Sequence, residues 1–306
     1  MDNRIHFISG LPRSGSTLLA AILRQNPEFH AGMTSPVANF FGHLLAAMRA
    51  EMEWSVLVDG EQRRNILAAV FDGYYHKVYP RKIVFDTNRA WCSRMPALAQ
   101  LFPQSRVIAC VRDMAWIVDS FERVVRKAPF LMSRLFTPEQ SKTVYSRAEH
   151  LTSPAGTLGF AWNALREAFY GEQAHPLVLI DYEALTLEPQ QTMDALYDLL
   201  EQPRFTHDFD NVDYAEGAEF DARLGAPGLH SVAGKVRFAQ RSTILPPDLF
   251  QRFSNRCFWR RPQSNPRNVT ILLPGTANVR DAAYAADSKA ILRERTNGLV
   301  MESQSG

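Results

Sequence analysis

The sequence has little cysteine and no long apolar run. Its three cysteines among 306 residues, Cys92, Cys110 and Cys257, show no C-x-x-C spacing, which argues against a disulfide scaffold and against a zinc site. No apolar stretch approaches the roughly eighteen residues of a transmembrane helix. The N-terminus lacks the cationic segment and apolar run of a signal peptide. We therefore expect a cytoplasmic protein without a membrane span.

The sequence also lacks an excess of charge of either sign. Lys and Arg together number 34 and Asp and Glu 32, so the formal net charge is +2 at pH 7. Because no strong positive field results, no nucleic-acid partner is expected. The chain is 46% hydrophobic and 22% charged, which is enough to bury a sizeable core. Any anion-binding site must therefore be local.

Short apolar runs alternate with helical patterns along most of the chain. Four continuous apolar runs predict strands at residues 5–9, 82–86, 106–111 and 176–180. Segments with helical apolar spacing lie between or after them, at residues 17–24, 66–74, 95–102, 159–170 and 192–200. Strands that are apolar throughout and alternate with helices are typical of a parallel sheet covered on both faces. The predicted fold class is therefore α/β, a central parallel sheet with helices on both faces.

The composition changes in the last third of the chain. Residues 208–228 are rich in Asp, Asn, Glu, Gly and Ala and predict a long loop, whereas residues 244–253 predict a short helix. After Pro262 the chain has one weak apolar run, at 269–273. We expect a single domain over residues 1–262 and a partly disordered C-terminal tail over 263–306.

A glycine-containing loop follows the first predicted strand. Its sequence, Gly10-Leu-Pro-Arg-Ser-Gly-Ser-Thr17, has the spacing of the phosphate-binding loop G-x-x-x-x-G-K-[ST], but Ser16 replaces the lysine and a cation comes earlier, at Arg13. The backbone N–H groups of Ser14, Gly15, Ser16 and Thr17 at a helix N-terminus can still hold an anion, because this needs no particular side chain. The loop therefore predicts a phosphate or sulfuryl site in which Arg13 supplies a planar, permanently charged donor.

Residues 11–19 resemble the 5′-phosphosulfate loop of sulfotransferases that use 3′-phosphoadenosine 5′-phosphosulfate (PAPS), in the arginine form shared with the tyrosylprotein sulfotransferases. The resemblance implies a fold like that of P-loop nucleoside triphosphate hydrolases, PAPS as the cofactor, and in-line transfer of the sulfuryl group without a metal. The implied acceptor is a hydroxyl, on a phenol, a peptidyl tyrosine or a small metabolite. Arg13 and the loop amides are expected to hold the bridging and sulfuryl oxygens.

A second phosphate site is predicted after the third apolar run. Arg112 directly follows that run, and Ser120 comes eight positions later on the next predicted helix, a pattern similar to the family's 3′-phosphate motif. Arg112 stands at the carboxyl end of a parallel strand, where α/β sheets bind ligands. The pair predicts a site for the 3′-phosphate of the cofactor.

Two further stretches resemble the family and complete the expected cofactor site. Tyr182, in Leu179-Ile-Asp-Tyr-Glu-Ala-Leu185, stands where the family places a tyrosine near the adenine, although packing in the core explains it equally well. Ser231 and Lys235 belong to Leu229-His-Ser-Val-Ala-Gly-Lys-Val236, where the family has a late loop that closes over the phosphates. The resemblance extends in element order from about residue 5 to residue 259.

The general base for the acceptor is not apparent from the motifs. Tyrosylprotein sulfotransferases have a glutamate just after the first helix, but Met33 and Thr34 stand here, which puts a peptidyl tyrosine acceptor in doubt. Asp86 ends the second predicted strand and is the first candidate. His30 is the second, because an ordinary histidine pKa suits a base. Glu53, beside a tryptophan, is the third.

Two other functions remain open from the sequence. In a P-loop kinase or nucleotide hydrolase, Arg13 would replace the usual lysine, and the enzyme would require magnesium and ATP or GTP. In a non-enzymatic nucleotide-binding module, adenosine 3′,5′-bisphosphate would bind without turnover. The absent lysine favours the sulfotransferase over the kinase.

Overall fold

A computed structural model describes residues 5–79, 82–131 and 133–275 of the chain. Residues 276–306, most of the predicted tail, lie outside the described residues. No helix within the described ranges has the length and apolar character needed to span a bilayer.

Six parallel strands form the central sheet, and a short antiparallel pair lies apart from it. In chain order the strands are β1 (Ile5–Gly10), β2 (Phe29–Ala31), β3 (Ile83–Thr87), β4 (Val107–Val111), β5 (Leu177–Asp181), β6 (Val212–Tyr214), β7 (Val232–Gly234) and β8 (Thr270–Leu272). The order in the main sheet is β2-β3-β1-β4-β5-β8, and β6 pairs with β7. The α/β fold class is confirmed.

Helices follow most of the strands. The α-helices are α1 (Ser16–Leu23), α2 (Val37–Ala47), α3 (Gly60–Tyr75), α4 (Met95–Leu101), α5 (Met114–Lys127), α6 (Val144–Thr152), α7 (Thr157–Tyr170), α8 (Tyr182–Leu187), α9 (Pro189–Leu199), α10 (Ala218–Leu224) and α11 (Pro247–Phe253). The 3-10 helices are Glu53–Leu57, Arg89–Arg94, Phe258–Arg260 and Pro262–Ser264.

Each face of the sheet is covered by its own apolar cluster. Because side chains alternate along a strand, Phe7 of β1 packs with one cluster, which includes residues of α2, α3, α5 and α7, and Ile8 packs with the other, which includes α1 and α9. Both side chains have no exposed surface. Burial on both faces explains why the strands are apolar throughout.

The four predicted strands agree with the structure to within one residue at each end, but four other segments differ. Two short strands, β2 and β7, were not predicted. Residues 208–228 are not a continuous loop, because β6 and α10 form within them. The weak apolar run at 269–273 gives β8, which pairs in parallel with β5, so the first part of the predicted tail contributes a strand to the sheet.

Gly10 allows the close approach of β1 and β4 where the loop after β1 begins. Its φ is +97°, and a Cβ there would lie 2.3 Å from the carbonyl oxygen of Cys110. Only glycine combines this backbone conformation with this distance. The loop therefore leaves the sheet directly above β4, whose own carboxyl end carries Arg112.

Candidate active site

A cavity of about 550 Å³ opens at the carboxyl ends of the central strands, a volume within the usual range for small-molecule sites. Its wall includes the loop after β1, the ends of β3 and β4, the start of α8, and residues 229–241. No aspartate or glutamate is among the described residues that line it. Its cationic side chains are Arg13, Arg89, Arg112, Lys235, Arg237 and Arg241. The cavity is therefore built to hold anions.

The loop after β1 presents backbone donors to the cavity. Arg13 and Gly15 both have positive φ, 58° and 101°, a local conformation that lets successive N–H groups converge. Gly15 is the N-cap residue of α1, and no side chain caps this helix. The first backbone N–H groups of α1 are therefore available to bind an anion. Ser14 contributes through its backbone, because its buried hydroxyl donates to the carbonyl oxygens of Leu11 and Cys110.

Arg13 lies at the centre of the cavity wall. Its Nε donates to the Ser120 hydroxyl at 3.1 Å, and its Nη1 donates to the carbonyl oxygen of Leu229. Burial, together with the neighbouring charge of Arg112, lowers the pKa of Arg13 to about 10. The side chain therefore stays charged at neutral pH and joins the loop after β1 to residues 229–241, which we call the late segment.

The predicted 3′-phosphate residues meet beside this loop. The Arg112 guanidinium lies 4.0 Å from the centre of the Tyr182 ring, and its Nη1 is 3.5 Å from the Arg13 carbonyl oxygen. Burial lowers the pKa of Arg112, and the charge of Arg241 lowers it further. Ser120 lies on α5 and still has its hydroxyl proton to donate. These residues, which are distant in sequence, form one cationic corner of the cavity.

The late segment closes another side of the cavity. Ser231 lines the wall and donates to the Gly228 carbonyl oxygen at 3.2 Å. Lys235 also lines it, and its Nζ lies 2.7 Å from Asp210 Oδ1 with both side chains largely exposed. An exposed ion pair of this kind is weak, so Lys235 can exchange Asp210 for an anionic ligand.

His230 lies between Leu229 and Ser231 in the same wall and is not among the site residues predicted from the sequence. Its Nδ1 is 2.5 Å from Asp221 Oδ1, and its backbone N–H donates to Asp221 Oδ2 at 2.8 Å. Asp221 is 1% exposed. Burial lowers the pKa of His230, Asp221 raises it, and the charges of Arg13 and Arg89 lower it again. The net direction leaves a neutral ring at pH 7, with Nδ1–H held by the carboxylate and Nε2 free to accept a proton.

Asp86 does not face the cavity, contrary to the sequence-based expectation. It is fully buried, and its oxygens accept hydrogen bonds from Ser35 at 2.6 Å, from Tyr75 at 2.7 Å and from Trp91 Nε1 at 2.8 Å. Burial raises the pKa of Asp86, and these donors oppose the shift. The carboxylate joins β3 to α3 and the segment before α2, which is a structural role.

Replacing Asp86 therefore tests stability rather than chemistry. We expect Asp86→Asn to lower the free energy of unfolding by about 2 kcal/mol, because an amide turns a donor toward groups that need an acceptor. Urea denaturation measures this loss. The kcat of the folded variant should match the wild type, and a selective loss of kcat with unchanged stability would contradict the structural role.

The other two candidate bases also lie apart from the cavity. His30 is exposed in the middle of β2, and its ring packs edge-on against Tyr75 with the ring centres 5.8 Å apart. Glu53 is exposed in the 3-10 helix Glu53–Leu57. The structure thus places Arg13, Arg112, Ser120, Tyr182, Ser231 and Lys235 around one cavity and leaves Asp86, His30 and Glu53 outside it.

A profile of the sulfotransferase family matches residues 6–207. This is about two thirds of the chain. The chain belongs to the sulfotransferase family. The match includes the loop after β1, Arg112, Ser120 and Tyr182. It ends before residues 229–241, so the family match does not include the late segment of this sulfotransferase. No curated protein sequence matches the chain.

Solved sulfotransferase structures are similar to this one at low identity. The sulfotransferase domain from the curacin biosynthetic pathway is 16% identical, with 82% of this chain and 90% of that chain covered at a TM-score of 0.47. The sulfotransferase domain of the Synechococcus PCC 7002 olefin synthase is 18% identical, with 81% and 92% covered at a TM-score of 0.41. A Mycobacterium avium sulfotransferase is 16% identical, with 83% of this chain and 75% of that chain covered at a TM-score of 0.45.

Proposed function

We propose that this protein transfers the sulfuryl group of PAPS to the hydroxyl of an acceptor. The observation that carries the proposal is the arrangement of two phosphate sites, the loop around Arg13 and the corner formed by Arg112 and Ser120, in one cavity whose described wall has no carboxylate. A nucleotide that carries one phosphate on the 3′ position of its ribose and another on the 5′ position needs two such sites. An acidic wall would repel it.

The chain's residues fit the donor group by group. The amides of Gly15, Ser16 and Thr17 and the Arg13 guanidinium would hold the 5′-phosphosulfate, since helix N-termini and guanidinium groups both favour oxyanions. Arg112 and Ser120 would hold the 3′-phosphate. Tyr182, which stacks on Arg112 at 4.0 Å, would lie beside the adenine. Ser231 and Lys235 would cover the phosphates from the late segment.

When bound, PAPS supplies the sulfuryl group: the acceptor oxygen forms a bond to sulfur, the bond between sulfur and the bridging oxygen breaks, and adenosine 3′,5′-bisphosphate leaves. His230 would take the acceptor proton on Nε2 as the general base. Asp221 would hold the ring in orientation and stabilise the imidazolium that forms, as a buried carboxylate does for other catalytic histidines. Arg13 would stabilise the charge that develops on the bridging oxygen.

The part of the cavity next to His230 suits a small organic acceptor. Phe220 packs edge-on against the His230 ring with the ring centres 5.7 Å apart. Leu135, Leu224 and Met33 also line the cavity. Apolar walls with a few polar groups are usual for small-molecule sites. The three cysteines are free and buried, which suits the cytoplasmic location we propose.

No observation favours the kinase or hydrolase alternative. Such enzymes hold magnesium through a carboxylate near the phosphates, and the described cavity residues provide none. The non-enzymatic alternative is also disfavoured, because His230 and Asp221 supply a base where one is needed.

Titration calorimetry with adenosine 3′,5′-bisphosphate tests the donor assignment. We expect micromolar binding without added metal, and tighter binding than that of ADP or magnesium-ATP. Arg112→Ala should weaken the binding of the bisphosphate by about thirtyfold, since a charge-assisted hydrogen bond is lost. The affinity for ADP should not change, because ADP has no 3′-phosphate.

Arg64→Ala is the matched control, because Arg64 is exposed on α3 and lies outside the cavity. It should bind like the wild type. Equal or tighter binding of ADP or magnesium-ATP to the wild type, or an equal loss of both ligands in Arg112→Ala, would contradict the assignment of the 3′-phosphate site.

A further inference from the structure

The cavity has an end that the donor does not need. The proposed donor residues Arg112, Ser120 and Tyr182 follow β4 and β5, whereas β3 lies on the opposite side of β1. The residues at the end of β3 and directly after it, Thr87 to Arg89, line the cavity at that opposite side. They therefore belong to the space left for the acceptor.

Arg89 is a cation without a partner at this end. Its side chain is exposed into the cavity, and its guanidinium makes no hydrogen bond or ion pair with any residue in the described ranges 5–79, 82–131 and 133–275. The surrounding protein lowers its pKa, but a guanidinium remains charged at neutral pH. By contrast, the charges of Arg112 and Arg241 lower the pKa of Arg13, and the charge of Arg241 lowers the pKa of Arg112.

Thr87 gives an independent indication of a ligand at the same place. The residue is 6% exposed and lines the cavity. Its hydroxyl is buried and has no hydrogen-bond partner among the described residues. A buried polar group without a partner lowers the stability of the protein. A bound oxygen atom would offset this loss.

Arg89 is also linked to the proposed base. Both residues line the same cavity, and the charge of Arg89 lowers the pKa of His230. An acceptor whose hydroxyl reaches His230 therefore has a guanidinium near its other groups. A neutral acceptor would leave Arg89 desolvated and unpaired, whereas an oxyanion would pair with it.

We propose that the acceptor carries an oxyanion, a carboxylate or a phosphate, which binds to the Arg89 guanidinium and the Thr87 hydroxyl while the acceptor's hydroxyl group lies at His230. The inference rests on the proposed sulfotransferase function, since it assigns the remaining end of that same cavity. A guanidinium forms two parallel hydrogen bonds to either oxyanion, and the hydroxyl adds a third donor.

Calorimetry with three non-reacting probes tests this assignment on protein saturated with adenosine 3′,5′-bisphosphate. The probes are phenylacetate, phenyl phosphate and the neutral phenylacetamide. We expect at least one anionic probe to bind about tenfold or more tightly than the amide, and the preferred probe distinguishes a carboxylate from a phosphate source. Arg89→Gln should abolish the preference while the bisphosphate affinity stays unchanged.

Two further variants exclude simpler explanations. Arg94→Gln removes the same charge from the other end of the same 3-10 helix, away from the cavity, and should keep the preference. Thr87→Val removes the unpartnered hydroxyl, so it should leave the ligand-free protein as stable or more stable and weaken the anionic probe severalfold.

The inference is overturned if the three probes bind the wild type alike, if none binds, or if the preference persists in Arg89→Gln. Persistence would mean that the probe occupies the sulfuryl position at Arg13. Failure of adenosine 3′,5′-bisphosphate to bind at the outset contradicts the proposed function itself, so the two failures are distinguishable.

Discussion

Arg13→Ala should lower kcat by about a hundredfold to a thousandfold, the usual loss when one preorganised donor to a developing negative charge is removed. The side chain is the cation of the loop, and its hydrogen bonds to Ser120 and to the Leu229 carbonyl oxygen fix its position. Steady-state kinetics with PAPS and an acceptor found by screening measures the loss. KM for PAPS should change much less, because the loop amides remain.

Arg13→Lys is the informative comparison. It keeps the charge but loses the planar fork, so it should recover part of the rate and not all of it. A second control, Arg64→Ala on α3, should match the wild type. An Arg13→Ala enzyme within threefold of the wild-type kcat would contradict the role assigned to this side chain.

His230→Ala should lower kcat by about a hundredfold to ten thousandfold, the range for loss of a general base. The ring is held by Asp221 at 2.5 Å from Nδ1, which leaves Nε2 as the acceptor of the proton. Added imidazole should restore part of the rate, because the substitution leaves a space of that shape next to the cavity. His30→Ala is the matched control, since His30 is exposed and apart from the cavity, and it should keep full activity.

The pH dependence of kcat/KM gives the same residue a second test. Burial lowers the pKa of His230 below its ordinary value of 6.5, with a further contribution from Arg13 and Arg89. Because the neutral ring is the active form, the rate should be level at neutral pH and fall as the pH drops through this lowered pKa. Asp221 raises the pKa, so Asp221→Asn should move the acid limb to still lower pH. If the acid limb persists unchanged in His230→Ala and in Asp221→Asn, it belongs to the titration of another group.

Most of the sheet could be predicted because burial on both faces leaves a strong local signal. β1, β3, β4 and β5 appear in the sequence as continuous apolar runs. β2 is only three residues long, with an exposed histidine between two buried residues, and such a segment carries too few positions to show a pattern. β8 is an edge strand in a polar stretch, so its signal was weak.

The proposed phosphate-binding parts of the site could be predicted from the sequence for a similar reason. The loop around Arg13 and the Arg112–Ser120 pair are each local in sequence and tied to the end of a strand, which determines their side of the sheet. The structure brings them together as expected, with Arg13 Nε 3.1 Å from the Ser120 hydroxyl.

The proposed base could not be predicted from the sequence, because its position depends on long-range packing. His230 meets Asp221 only because α10 forms within a segment that looks like a loop in the sequence. The prediction for Asp86 was wrong by one position, because the next residue of β3 lines the cavity instead. Side chains alternate along β3, so Asp86 is buried against Tyr75 and Trp91 while its neighbour Thr87 lines the cavity.

A crystal structure with adenosine 3′,5′-bisphosphate would show directly how the proposed donor site holds its two phosphates. We expect the 3′-phosphate within hydrogen-bond distance of Arg112 and Ser120, and the 5′-phosphate on the amides of residues 15–17 with Arg13 beside it. A nucleotide bound in the opposite direction, or outside the cavity that these residues line, would contradict it.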